Sequence, residues 1–180
     1  MIEVKDISVE KFFLLDESQQ KIFYNIFHKL QMTEDYEIDY KDLYDLTFDE
    51  VELLKKRLVN FNNDTVSVVW EIMTGKDFDG KTSIFDLVFI WGRAVAVINK
   101  VSELEKNIKV NIDERLLMAG VDEFRKLGAE AVKIQLGRQF GKRPKDIGEW
   151  KWTEVYTIRV YNSIENNIQY NLKQMQNAKQ

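Results

Sequence analysis

The chain reads as all-α, on three observations. One proline and eight glycines in 180 residues leave few helix breaks. Apolar residues recur at spacings of three and four almost throughout, the period of one helical face. Ser, Thr, Asp and Asn stand just before these periodic runs, where helices are capped. The composition, 44% hydrophobic and 31% charged, is that of a folded globular protein and argues against extended disorder. With no internal repeat or low-complexity linker, the expectation is a single all-helical domain over residues 1–180, of roughly six to eight helices. Within it, N-terminal helices and an acidic loop occupy residues 1–46. A helical core fills 47–149, and a long amphipathic helix runs over 150–180.

Ser8 and Asp16 are candidate N-caps, because their side-chain oxygens can accept the free amide hydrogens of a first turn. Ile22, Phe23, Ile26, Phe27 and Leu30 then form one helical face. The stretch from Gln31 to Tyr44 is acidic, with Glu34, Asp35, Glu37, Asp39 and Asp42 among three tyrosines, and reads as an ordered loop or a short extended piece. Thr47-Phe48-Asp49-Glu50 is a capping box, with Leu46 and Val51 placed as a hydrophobic staple, and predicts a helix from Phe48 to about Val59. Asn62-Asn63-Asp64 breaks it. A short apolar helix from Thr65 to Thr74 follows, stopped by Gly75.

Ser83 caps the next helix. Ile84, Leu87, Val88, Trp91, Val95, Ile98 and Val101 make a wide apolar stripe, so this is the expected central helix. Asn111-Ile112-Asp113-Glu114 restarts a helix that ends near Gly120. Val121 to Leu127 and Ala129 to Phe140 are two more, separated by Gly128. The last helix runs from Trp150. Tyr161, Ile164, Ile168, Leu172 and Met175 form a narrow stripe on it, and its five asparagines lower the intrinsic propensity, so it relies on packing against the body or a partner.

Composition excludes several chemistries. Without cysteine there is no disulfide, thiol catalysis or cysteine-based zinc site. One histidine, His28, cannot build a multi-histidine metal site. The acidic cluster at 35–42 lacks the glycine and terminal glutamate of a calcium loop. Gly80-Lys81-Thr82 resembles a phosphate loop, but Gly75 falls one residue out of register and no strand precedes it. A turn between two helices explains it. No nucleophile–base pair appears, so the expectation is a protein that is not an enzyme and uses no cofactor. Met1 to Asp6 lacks the basic and apolar blocks of a signal peptide. The apolar run Ile84 to Ile98 is too short to span a bilayer and contains Asp86 and Arg93. The expectation is a soluble protein made inside the cell.

The most specific stretch is Leu136 to Trp150. It holds a helix end, the glycines Gly137 and Gly141, a basic turn, Pro144 and a new helix start. It fits two functions. Residues 129–160 satisfy a helix-turn-helix: Gly137 as the small residue on the first helix, Gly141 in the turn, Ile147 and Trp150 locking the second helix. Arg138, Lys142, Arg143 and Lys145 could then meet phosphates. Against this, Asp146 and Glu149 put negative charge on the would-be recognition helix, and the chain carries a formal net charge of -4.

The second reading is a resemblance. Ala119-Gly120-Val121, Phe124, Leu127-Gly128, then Phe140-Gly141-Lys142-Arg143-Pro144, Ile147, Trp150 and Glu154-Val155-Tyr156 resemble tail assembly chaperones of tailed bacteriophages, or related small helical phage proteins. The match covers the C-terminal third to half. The two tryptophans after the turn and the asparagine-rich final helix depart from it, which leaves a minor virion structural or connector role open. The resemblance implies a non-enzymatic protein of the host cytoplasm or virion. It would bind another phage structural protein, such as a tail tape-measure or connector component, and leaves the oligomeric state open. Trp150, Trp152, Tyr161, Ile164, Ile168 and Leu172 are the candidate partner-binding residues, with one of the two tryptophans facing the partner.

Overall fold

The structure, a computed structural model, describes residues 7–21, 38–112, 118 and 120–177, with the backbone alone at 122 and 125. The Ile22–Leu30 face, His28, the acidic residues Glu34, Asp35 and Glu37, and the helix restarting at Asp113 lie outside them. The fold is all-α, as the periodicity predicts. Helices are α1 (Val9–Phe13), α2 (Phe48–Arg57), α3 (Asn63–Thr74), α4 (Ile84–Lys106), α5 (Ala129–Phe140), α6 (Pro144–Gly148) and α7 (Trp152–Asn177), with a 3-10 helix at Val121–Leu127. Among the described residues, no helix is long and apolar enough to cross a membrane.

Two compact units are distinguished along the chain. One comprises residues 1–43 and 53–100, the other 44–52 and 101–180. Both are discontinuous in sequence, because α2 and α4 each pass from one unit to the other.

In the first unit the starts of α1 and α4 pair reciprocally. Ser8 bridges Ser83; Val9 N–H donates to the Thr82 carbonyl at 3.0 Å and Ile84 N–H to that of Ile7 at 2.9 Å. Each helix thereby satisfies one of the free amide donors of its partner's first turn. Both serines also cap as predicted: Ser8 Oγ accepts from Lys11 N–H and Ser83 Oγ from Phe85 N–H. Asp16 likewise accepts from Gln19 N–H at 2.9 Å, ahead of the helical residues 17–21. The core holds Val9, Phe12, Leu54, Val66, Val69, Met73, Ile84, Leu87 and Ile90, all fully buried. Phe61 packs edge-on to both Phe12 and Trp91.

Two predicted boundaries shift here. α3 begins at Asn63, because Asn62 is its cap: the Asn62 carboxamide accepts from Thr65 N–H, and Thr65 Oγ1 accepts from Asn62 N–H. α2 stops at Arg57 rather than Val59, closing on three basic residues that suit the negative end of the helix dipole. Gly75 ends α3 in the left-handed region, as expected.

The second unit repeats the reciprocal start with α2 and α7. Thr47 bridges Lys151; Phe48 N–H donates to the Trp150 carbonyl at 2.8 Å and Trp152 N–H to that of Leu46 at 3.0 Å. The capping box forms: Thr47 N–H donates to Glu50 and Glu50 N–H to Thr47 Oγ1. The core holds Leu46, Phe48, Val51, Val101, Leu136, Ile147, Trp152 and Val155. Lys133 is nearly buried and bridges Glu130 at 2.7 Å and Asp49 at 3.0 Å, joining α5 to the first turn of α2. Burial pushes the Lys133 ammonium down, but the two carboxylates outweigh it and hold it above its ordinary range. The Val121–Leu127 segment is 3-10 rather than α. It lies between Gly120 and Gly128, both at positive φ.

Candidate functional site

The Leu136–Trp150 corner is built by two glycines with different roles. Gly141 ends α5 in the left-handed region, at φ 64°, which only glycine adopts without strain. Gly137 is needed for room: a Cβ there would stand 2.7 Å from the Lys142 carbonyl oxygen, and its own carbonyl accepts from Lys142 N–H. Pro144 opens α6, where its missing N–H costs nothing. Ile147 is fully buried, and Gly148 leaves space for the Asp49 carboxylate.

This corner differs from a DNA-reading unit in one respect that matters. The second helix, α6, has five residues and ends at Gly148. Trp150 therefore lies in the following turn, not on a recognition helix, and α7 begins at Trp152 rather than Trp150. Arg138, Lys142, Arg143 and Lys145 are all exposed. Arg143 is held by Asp146, with Nη2 at 2.8 Å from one carboxylate oxygen and Nε at 3.1 Å from the other. That hydrogen bonding holds the Asp146 carboxyl below its usual range. Of the five α6 residues Lys145 is exposed and Ile147 buried, and the segment makes a tight turn between α5 and α7.

Trp150 and Trp152 flank Lys151, the residue bridged to Thr47, and part company there. Trp152 is 1% exposed and stacks on Tyr156 at 5.1 Å, so it belongs to the core and is withdrawn from the partner-binding set. The extended pairing at Lys151 turns alternate side chains to opposite faces, and the core claims one of them. Trp150 is half-buried and meets Phe140 edge-on at 5.4 Å. These rings, with Tyr44 and with Thr153, Glu154, Thr157 and Ile158 of α7, line a hollow of about 540 Å3. It is shallow and largely open to solvent, with Phe140 and Tyr44 themselves exposed. Phe140 and Tyr44 are site residues that sequence reasoning missed. The one local signal was Phe140 immediately before the stop at Gly141.

Beyond the hollow, α7 carries the predicted stripe in the open. Tyr161 is 64% exposed, Ile164 55%, Ile168 52%, Leu172 48% and Met175 64%. The helix is tied down on another side. Ser163 Oγ donates to the Lys109 carbonyl at 2.6 Å. The Asn167 carboxamide donates to that same carbonyl and accepts from Asn111 N–H. Arg159 pairs with Glu105, and Asn162 exchanges hydrogen bonds with Gln139. From residue 171 to 177 every side chain is exposed.

Among the described residues, no three His, Cys, Asp or Glu side chains converge as a metal site would need. Comparison with protein-family models, curated proteins and solved structures finds no match to this chain.

Proposed function

We propose that this chain is a non-enzymatic phage protein that acts in tail or virion assembly by binding another phage structural protein. The observation that carries the reading is the gathering of apolar surface on one helix of the second unit. The Trp150 hollow lies against the first turns of α7, and five exposed apolar residues follow along it. Exposed apolar residues aligned on one helix face are what helix-in-groove recognition uses. The resemblance of Ala119 to Gly128, Phe140 to Trp150 and Glu154 to Tyr156 to tail assembly chaperones supplies the phage context. In this reading the apolar surface shields a structural protein before it assembles, in the host cytoplasm, or joins it in the particle. The side chains that carry the contact are Trp150, Tyr161, Ile164, Ile168 and Leu172, with Phe140 added.

The test is co-purification of a tagged protein from phage-producing cells, with mass spectrometry and the nucleic-acid absorbance ratio of the eluate. A tail or connector protein that co-purifies with the wild type and is lost with Phe140→Asp or Ile168→Asp supports the reading. Nucleic acid that elutes with the protein and is lost at raised salt would replace it with DNA binding through Lys142 to Lys145.

A further inference from the structure

The hollow in the second unit brings three aromatic rings and one carboxylate together. Tyr44, Phe140 and Trp150 supply the rings, the lining is mostly apolar, and Glu154 is the only charged side chain in it. Phe140 and Trp150 are inclined at 65° to each other, so they make a corner rather than a flat wall. The chain sets this up locally. The Thr47–Lys151 bridge holds Trp150 just ahead of α7, and Glu154 stands in the first turn of that helix. The helix dipole accounts for an acid in this turn, but not for the rings beside it.

The neighbouring cations are engaged elsewhere. Lys151 Nζ donates to the Asp45 carbonyl at 2.6 Å, and Arg143 pairs with Asp146. Among the described residues, the Glu154 carboxylate makes no hydrogen bond or ion pair.

The chemistry of the lining selects its occupant. A purely apolar side chain would take water from the Glu154 carboxylate and return nothing, and an unpaired carboxylate is costly to desolvate. An anion would meet like charge. A cation gains from the ring faces and from the carboxylate together. Between the two cationic side chains, the openness of the hollow decides. A lysine ammonium is a compact, strongly hydrated charge and keeps its water at an open site. A guanidinium is planar and weakly hydrated, stacks on aromatic rings and spreads five donors. Acceptors stand ready for them. Besides the Glu154 oxygens there is Thr157 Oγ1, whose own proton goes to the Thr153 carbonyl at 2.8 Å.

We infer, resting on the reading of this surface as one that binds another protein, that the hollow takes an arginine side chain of that partner. The guanidinium stacks in the corner of Phe140 and Trp150 and pairs with Glu154. The stripe of α7 then contributes apolar contact, and the arginine fixes where along α7 the partner sits.

The probes are three capped tripeptides, Leu-Arg-Leu, Leu-Lys-Leu and Leu-citrulline-Leu, the last matching arginine in shape without its charge. The readout is the indole N–H signal of Trp150 in a nitrogen–proton correlation spectrum, identified by its loss in Trp150→Phe. The arginine peptide should shift this signal saturably, with a millimolar Kd. The lysine peptide should bind more weakly, and the citrulline peptide should leave the signal in place. Glu154→Gln keeps the shape of an exposed side chain, so its melting curve should match wild type while arginine-peptide binding weakens about two- to fivefold. Phe140→Leu keeps the hollow apolar and should weaken binding as well. Citrulline and arginine peptides binding equally would overturn the assignment. So would a Glu154→Gln variant that binds as well as wild type, or a Trp150 signal unmoved by tens of millimolar arginine peptide. Lysine binding as tightly as arginine would overturn the choice between the two cations. These titrations contain no phage protein. If the arginine peptide binds but no phage protein co-purifies, the arginine site stands and the assembly reading falls. If a phage protein co-purifies but the peptide does not bind, the reverse holds.

Discussion

Replacing Trp152 with alanine separates a core role from a partner-binding one. The indole is 1% exposed and stacks on Tyr156 with an interplanar angle of 12°. A tryptophan of this kind buries about 150–250 Å2, or roughly 4–6 kcal/mol at 25 cal/mol per Å2. Truncation to alanine keeps the Cβ, and measured Trp→Ala costs in cores run about 3–5 kcal/mol. Loss of the ring pair with Tyr156 contributes about 0.5–1.5 kcal/mol of this. At about 2–4 °C per kcal/mol for a chain of this size, Tm should fall by about 6–20 °C. The assay is thermal melting by circular dichroism at 222 nm, with Trp150→Ala as the control. The control should lower Tm far less, because its ring is only half-buried, and should instead weaken partner capture. A Trp152→Ala variant that melts within about 2 °C of wild type would refute the assignment of this residue to the core.

Three other outcomes follow from the same geometry. Gly137→Ala should destabilise by about 1–3 kcal/mol, because the added methyl meets backbone that cannot swing aside; chemical denaturation measures it. Asn62→Ala should cost about 1 kcal/mol by removing the cap of α3, visible as a drop in the denaturation midpoint without a change in slope. Lys133 has a raised folded pKa, so its contribution should be complete below its unfolded value of about 10.4 and be lost as pH climbs through the folded one. Wild-type stability should accordingly fall above about pH 10 more steeply than that of Lys133→Met, and parallel curves would remove the linkage.

The features legible in the sequence are those decided within a turn or two of chain. The Thr47–Glu50 capping box, the Ser8, Asp16 and Ser83 caps and the stops at Gly75 and Gly141 all depend on partners three or four residues away. Local chemistry alone announces them. The corner at Gly137 was likewise readable, because a small residue, a glycine and a proline at those spacings describe one turn. The division into two units was not readable, since each unit joins segments far apart in the chain.

The candidate site shows the same boundary. Periodicity placed Tyr161, Ile164, Ile168, Leu172 and Met175 on one line, but the pattern is identical whether that line closes a core or faces outward. Ser163 and Asn167 decide it, by holding another side of α7 to residues 109–111 across more than fifty positions of chain. Trp150 and Trp152 are two residues apart and chemically alike. Thr47, about a hundred residues earlier, pairs with Lys151 between them, and that pairing turns one indole into the core and leaves the other at the hollow. By itself, then, the sequence determined the helices, their caps and the line of the stripe, because hydrogen bonds and helical period act over a few residues. Which faces are buried was decided only by tertiary structure, because burial depends on what the rest of the chain brings alongside.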